Sequence, residues 1–157
     1  MPVDDLDARI LTLLAEEPRI GVLEISRRVG VARATVHSRL RRLQADGTVR
    51  GFGPELDTAE LGYPVTAFCT LEIRQGAGHD TAAEHLVGIP EVLEAHTITG
   101  PGDLLVRVAA RSNSDLQRII DLVVADESVI RVATTIVLRT QIPARTLPLL
   151  HAAVIDE

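Results

Sequence analysis

Arginines and small hydrogen-bonding residues recur at helical spacing in the stretch ARATVHSRLRRLQAD, residues 32–46. Val36, Leu40 and Leu43 stand at i, i+4 and i+7 and therefore predict one apolar stripe of a helix. At about 3.6 residues per turn, the opposite face carries Ala34, Thr35, His37, Ser38, Arg41 and Arg42. Small residues permit close approach to a DNA major groove, where Arg, Ser and Thr can bond to base edges. An ordinary solvated face is the alternative interpretation of this pattern.

Two kinds of DNA contact are expected from this region, because base contacts specify a sequence and phosphate contacts position the protein. Ala34 is small enough to let the helix approach the bases closely. Four side chains near the start of the helix are expected to read base edges: Arg33, Thr35, His37 and Ser38. Four arginines on and around the helix are expected to contact phosphates: Arg28, Arg39, Arg42 and Arg50.

The charge of the chain is unevenly distributed, although its net value is −6. Between Arg19 and Arg50, eight arginines stand against two acidic residues, whereas from Gly51 onward seven arginines stand against fifteen. A basic N-terminal module followed by an acidic C-terminal one is therefore expected. The apolar fraction of 46% is that of a globular protein rather than a disordered one.

The cellular setting is constrained by what the chain lacks. No run approaches the roughly 20 apolar residues of a membrane helix, and the acidic start MPVDDLDAR is unlike a signal peptide. The one cysteine, Cys69, cannot form an internal disulfide and lies in an apolar run, so a buried free thiol is expected. We expect a cytoplasmic protein that contacts no membrane.

Two further helices precede the arginine-rich one. Asp4 and Asp5 stand where a cap and first-turn acids belong, and the helix that follows them is stopped by Glu17-Pro18. Val22–Val29 predicts a short second helix that ends at Gly30, a residue suited to a left-handed conformation. Two helices separated by so tight a turn indicate a helix-turn-helix. After Asp46-Gly47, residues 48–52 and 55–57 flank Gly53-Pro54 and predict a small β-hairpin, or wing.

The second half alternates between strand and helix patterns. Strands are predicted at residues 65–73, 92–99, 104–110 and 129–141, a turn at 75–78, and helices at 80–87 and after Ser112. Asp115, three residues after Ser112, suggests a capping box. The order β-α-β-β-α-β indicates a ferredoxin-like sandwich, so the fold class is α+β. At 157 residues, we expect a winged helix-turn-helix domain at 1–53, a linker at 54–62 and the second domain at 63–157.

Two predicted strands are apolar on both alternating faces, at residues 104–108 and 134–138. Two helices can cover only one face of a four-stranded sheet, so the other face needs a partner. A homodimer that packs sheet on sheet would supply it. The apolar tail, residues 147–155, is a candidate to lie over that interface.

The loop Gly100-Pro101-Gly102-Asp103 is the most unusual stretch of the second half. It has two interpretations, which the pattern leaves open. It is either a plain turn, with Asp103 bonded to the turn's own amides, or exposed backbone with one carboxylate, suited to a small zwitterion. Elsewhere the histidines are scattered without cysteine partners, and no nucleophile stands beside a base. No metal, cofactor or catalytic site is therefore expected.

The chain resembles the Lrp/AsnC (feast/famine) transcriptional regulators over nearly its whole length. The resemblance rests on LDARILTLLAEEPR, EISRRVGVARATVHSRLRRLQADGTVRGF, EVLEAHTITGPGDLLVRVAAR and VIRVATTIVLRT. It implies a winged helix-turn-helix, a ligand-sensing domain of ferredoxin-like fold, and dimers that assemble further, often to octamers. It also implies an amino-acid effector bound between subunits at Gly100, Pro101, Gly102 and Asp103, where hydroxyls of Thr134 or Thr135 from a neighbouring subunit could contribute.

Two positions depart from the family pattern. Ala32 stands where a Ser or Thr usually caps the recognition helix, and this loss weakens the helix start by about 1 kcal/mol. Gly102 precedes Asp103 where an aromatic residue is common, so the identity of the effector is open.

We therefore expect a sequence-specific transcription regulator that binds double-stranded DNA and responds to a small ligand. An amino acid is the ligand expected first. Two alternatives stand beside it. One is an enzyme like the siroheme decarboxylases, which resemble this two-domain architecture, although the basic recognition face argues against it. The other is a DNA architectural protein that needs no ligand.

Overall fold

The computed structural model describes residues 3–74 and 79–155, so the turn predicted at 75–78 lies outside the described residues. The chain divides into two compact units. One comprises Met1–Pro54 with Ile142–Glu157, and the other comprises Glu55–Gln141. Among the described residues, none of the helices combines the length and the apolar character needed to span a membrane.

Three helices form the first part of the N-terminal unit: α1 at Asp5–Glu16, α2 at Val22–Val29 and α3 at Arg33–Ala45. Helix α1 begins with a capping box, in which the side chains of Asp4 and Asp7 each accept a hydrogen bond from the other's backbone N–H. Such reciprocal bonds satisfy amides that the first turn leaves unpaired.

The turn between α2 and α3 confirms the predicted helix-turn-helix. Gly30 has a φ of 75°, which a residue with a side chain adopts only at a cost. Four fully or nearly buried apolar side chains then hold the three helices together: Ile10, Ile25, Val29 and Val36.

The predicted wing is wrong, because no strand forms between residues 48 and 57. Val49 instead donates its backbone N–H to the Leu43 carbonyl and closes the end of α3. Pro54 has no amide hydrogen to contribute to a hairpin ladder, and residues 50–57 are all exposed. A two-stranded hairpin without an apolar face to bury is marginal in water.

The second unit is a four-stranded antiparallel sheet in the order β2-β3-β1-β4. Its strands are β1 at Val65–Ile73, β2 at Val92–Thr97, β3 at Leu104–Ala110 and β4 at Val129–Ile136. Helix α4 at His79–Val87 follows β1, and helix α5 at Asn113–Val124 follows β3. Ser112 caps α5 by accepting the N–H of Asp115. This is the predicted βαββαβ order.

Two strands are shorter than predicted. Strand β4 was expected to reach residue 141 and stops at Ile136, since its neighbour β1 begins at Val65 and offers little more backbone to pair with. Strand β2 was expected to reach residue 99 and stops at Thr97. The Ile98 N–H still bonds to the Asp103 carbonyl, but the Asp103 N–H bonds to the Leu71 carbonyl instead of returning to Ile98, so the ladder ends there. Paired backbone sets a strand's length, and the apolar pattern alone does not reveal it.

Both helices of this unit cover the same face of the sheet. Side chains from α4 and α5, among them Leu86 and Ile119, share a core with Cys69 and Val106 on adjacent strands. Alternation along each strand places the intervening side chains on the other side, here called the second face. It comprises Thr66, Phe68, Thr70, Glu72, Glu94, His96, Leu105, Arg107, Ala109, Arg131, Ala133 and Thr135.

The C-terminal tail forms helix α6 at Leu147–Ile155, which packs against α1. Leu147, Leu150 and Val154 are its partly buried side chains, spaced at i, i+3 and i+7. The tail was expected to belong to the second domain and to lie over a sheet interface. Within this chain it is part of the N-terminal unit instead.

Candidate DNA-binding surface and ligand loop

The outer side of α3 presents a continuous line of exposed side chains. Ala34, His37, Ser38 and Arg41 are all exposed, whereas Val36 and Leu43 are fully buried on the opposite side. Their spacing of i, i+3, i+4 and i+7 places them on one stripe of the helix, which we call the outer stripe. Thr35 lies beside this stripe and is partly buried. Two of the expected base-reading residues, His37 and Ser38, are thus brought together with the small residue Ala34.

Three arginines of the N-terminal unit differ from the others in their surroundings. No carboxylate of the described residues lies within salt-bridge distance of Arg33, Arg41 or Arg50, and all three are exposed. Arg41 was not among the arginines expected to contact DNA, although it was placed on the outer face. Its spacing seven residues after Ala34 is the signal that could have identified it.

Arg39 and Arg42 lie on the flank of α3 and bind carboxylates of α1. Arg39 bonds to Asp4 and, at 3.3 Å, to Oδ1 of Asp7, while Arg42 bonds to Oδ2 of Asp7. Asp7 is fully buried, so this arrangement ties the recognition helix to α1 through a charge pair shielded from water. The Nε and Nη1 atoms of Arg42 are also buried, and no acceptor among the described residues reaches them.

These contacts alter the ionisation of the groups at the surface. The N–H of Asp7, followed by the Arg39 guanidinium, holds the pKa of Asp4 below its ordinary value of 3.8. In turn, the Asp4 carboxylate raises the pKa of Arg39. Both groups are therefore charged near neutral pH, and their pairing persists there.

Arg28 on α2 is engaged as well. Its Nε donates to Glu24 at 3.1 Å, and its terminal nitrogens donate to Glu17. The hydrogen bonds to Glu17 and Glu24 raise its pKa. Three of the four arginines expected to contact phosphate are thus paired with carboxylates of the same chain, whereas Arg50 has no carboxylate partner among the described residues.

Helix α3 lacks a side-chain cap, as the sequence predicted. Ala32 occupies the N-cap position in an extended conformation, and no side chain accepts from the first amides.

The loop Gly100–Asp103 is anchored to the end of β1. Asp103 donates its backbone N–H to the Leu71 carbonyl at 2.8 Å, and its Oδ2 accepts the Ile73 N–H at 2.7 Å. The carboxylate therefore bonds to a neighbouring strand, rather than to the turn's own amides as the plain-turn interpretation expected. Its Oδ1 receives no donor from the described residues.

Gly102 has a steric reason to lack a side chain. A Cβ on this residue would lie 2.5 Å from Cγ2 of Thr70 and 3.0 Å from the Leu71 carbonyl oxygen. The loop thus lies directly on β1, and an aromatic or other side chain at position 102 would push it away. Gly100, at a φ of 114°, supplies the turn.

Thr134 and Thr135 form no hydrogen bond with this loop among the described residues. Thr134 pairs with Cys69 and Thr135 with Phe68, whereas the loop lies against Thr70 and Leu71 of the same strand. Successive strand residues also point to opposite faces, so only one of the two can serve any single site. Thr134 contacts the Cys69 thiol, whose pKa is raised by burial.

A helix-turn-helix unit with an exposed cationic stripe, joined in one chain to a βαββαβ unit, defines the class of two-domain DNA-binding regulators. Comparison with known proteins supports this class for both parts of the chain. The AsnC-type helix-turn-helix domain matches residues 3–44, and the Lrp/AsnC ligand binding domain matches residues 66–147. The chain belongs to the Lrp/AsnC family of transcriptional regulators.

Individual relatives agree with this assignment. The HTH-type transcriptional regulator FL11 of Pyrococcus horikoshii is 30% identical over 149 residues, which is 95% of this chain and 98% of that protein. The HTH-type transcriptional regulator AldR of Mycolicibacterium smegmatis is 31% identical over 138 residues, 86% of this chain and 81% of that protein.

Solved structures are similar to both parts of the chain. The structure of AsnC from E. coli superposes with a TM-score of 0.87 and 27% identity, covering 94% of this chain and 100% of that one. The feast or famine regulatory protein from M. tuberculosis, solved in complex with L-methionine, superposes with a TM-score of 0.82 and 26% identity. That match covers 92% of this chain and 97% of the other.

Proposed function

We propose that this regulator reads specific DNA sequences with the outer stripe of α3 and that an amino acid bound at the Gly100–Asp103 loop alters its DNA binding or assembly. The DNA-binding part of this proposal rests on one observation, which is that some arginines form ion pairs with carboxylates of the chain and others do not. Arg33, Arg41 and Arg50 are exposed and have no carboxylate partner among the described residues, whereas Arg28, Arg39 and Arg42 do. Unpaired cations are free to bind DNA without first losing a partner.

The outer stripe suits a helix lying in a major groove. Ala34 is small and permits close approach, while His37, Ser38 and Arg41 offer hydrogen-bonding groups on successive turns. Side chains of these types can bond to base edges or to phosphates beside them. Arg33 and Thr35 flank the stripe at its N-terminal end, the end that reads bases in this class of motif.

We predict that Arg41→Ala weakens DNA binding and makes it less sensitive to salt. Each lost phosphate contact lowers the slope of log K against log salt by about 0.9. Fluorescence anisotropy of the full chain on a labelled duplex of mixed sequence, over a salt series, measures both quantities.

The matched control is Arg74→Ala, which removes one exposed arginine from the second unit. If the two variants weaken binding equally, the loss reflects net charge alone and the outer stripe is not the DNA-binding surface.

The effector half of the proposal rests on the loop's geometry. The free Oδ1 of Asp103 can accept a hydrogen bond from an ammonium group, and the backbone at Gly100 has no Cβ to hinder approach. The L-methionine complex of the M. tuberculosis relative is a complex of that protein; it supports an amino acid as the class of ligand to test here.

The assembly half rests on the second face of the sheet. Phe68 and Leu105 are apolar and only partly buried, and α4 and α5 both pack on the opposite face. We propose that a second copy of the chain covers them in a homodimer, which assembles into higher oligomers. Thr135 lies on this second face, whereas Thr134 lies beside Cys69 on the other, so the hydroxyl of Thr135 would reach the effector loop of a neighbouring subunit.

A further inference from the structure

We propose that Arg39 changes partner when the protein binds DNA, leaving the carboxylate of Asp4 for a backbone phosphate while Arg42 remains on Asp7. Asp4 is then an internal counter-ion that competes with DNA for the recognition helix. This inference rests on the proposed function, because it assumes that α3 is the element that docks on DNA.

Burial separates the two aspartates that hold these arginines. The Asp4 side chain is 42% exposed and the Asp7 side chain 0% exposed, whereas Arg39 and Arg42 are similarly accessible. Exposed ion pairs are weak and readily opened. Opening a pair at a buried carboxylate leaves that charge without a partner and is far more costly. Phosphate can therefore displace Asp4 but not Asp7.

The length of the Arg39 side chain allows it to reach a phosphate. Arg39 stands about 100° around α3 from Ser38 and about 140–160° from the other members of the outer stripe, so its guanidinium must extend along the flank of the helix to do so. A helix that inserts this stripe into a major groove presents its flanks to the phosphate backbones at the groove's edges. The second contact of Arg39, to Oδ1 of Asp7 at 3.3 Å, can persist during the exchange and keep the guanidinium oriented.

The matched pair of variants is Asp4→Asn and Asp5→Asn in the full chain. Both remove one negative charge from the same turn. Asn is as good a helix cap as Asp, so the start of α1 is retained. Asp5 is 76% exposed and lies 3.9 Å from Arg9, and no ion pair among the described residues joins it to α3. Asp4→Ser, which also keeps a capping oxygen, is the second variant if Asp4→Asn does not fold.

The measurement is fluorescence anisotropy on a labelled DNA duplex of mixed sequence, over a salt series. Asp4→Asn is expected to bind roughly twofold to fivefold more tightly than the native chain, since an exposed pair of this kind contributes about that factor. Asp5→Asn is expected to change affinity less. In an Arg39→Gln background, the difference between the two aspartate variants should disappear, because no arginine remains to be released.

Equal effects of Asp4→Asn and Asp5→Asn would overturn the inference, since both would then act through net charge. Weaker binding by Asp4→Asn would overturn it as well, because Asp4 would then orient Arg39 for DNA rather than compete. Failure of the proposed function gives a different result: neither the native chain nor any variant would bind the duplex.

Discussion

The two carboxylate oxygens of Asp103 have different surroundings. Oδ2 accepts the Ile73 N–H and anchors the loop, whereas Oδ1 has no donor among the described residues. Asp103→Asn keeps an oxygen for Ile73 and removes the negative charge. We predict that it retains the fold and weakens binding of the amino-acid effector tenfold to a hundredfold, the range for a charged hydrogen bond of about 1.5–3 kcal/mol. A thermal-shift screen of the twenty amino acids identifies the effector, and calorimetry measures the change.

Asp121→Asn on α5 is the control, since it neutralises an exposed carboxylate away from the loop. Native-like effector binding by Asp103→Asn together with unfolding of Asp103→Ala would mean that Asp103 only holds the turn. If no amino acid stabilises the native chain, the protein acts without such an effector and the architectural alternative gains support.

Helices α1 and α3 are joined by the charges of Asp7, Arg39 and Arg42 as well as by apolar contacts. We predict that Asp7→Ala destabilises the chain by about 2–4 kcal/mol, because it leaves the buried nitrogens of Arg42 without a counter-charge. Urea unfolding followed by helical circular dichroism tests this. Asp5→Ala changes an exposed residue in the same first turn of α1, and it should change the free energy of unfolding by less than about 0.5 kcal/mol. A similarly small effect of Asp7→Ala would show that apolar packing alone holds the recognition helix.

The two faces of the sheet differ in what covers them, and the proposed dimer rests on this difference. Val106 lies in the core beneath α4 and α5, whereas Leu105 belongs to the second face. We predict that Leu105→Glu keeps the fold but shifts the protein from dimer to monomer at micromolar concentration, because a carboxylate in an apolar interface loses its hydration. Light scattering measures the mass.

Leu122→Glu, on the outer surface of α5, is the control and should leave the dimer intact. A native chain that is already monomeric would contradict the proposed interface, whatever the variants do.

Local pattern was sufficient for much of this protein. The apolar spacing around Val36 and Leu43, the glycine at position 30 and the cap at Ser112 predicted α2, α5 and the helix-turn-helix, and β1 and β3 were predicted with their observed limits. Each of these features depends on residues within a few positions of one another, so the local amino-acid sequence is sufficient to predict it. The family resemblance added the DNA-binding and ligand-sensing roles.

Other features depend on groups far apart in the chain. Asp7 and Arg42 are 35 residues apart. No periodicity in the sequence indicates that Arg39 and Arg42 form ion pairs in the folded chain while Arg41 stays exposed. The missing wing, the early end of β4 and the docking of α6 on α1 have the same origin. Whether a segment pairs or packs depends on which surface the rest of the fold brings beside it, and only the tertiary structure specifies that neighbour.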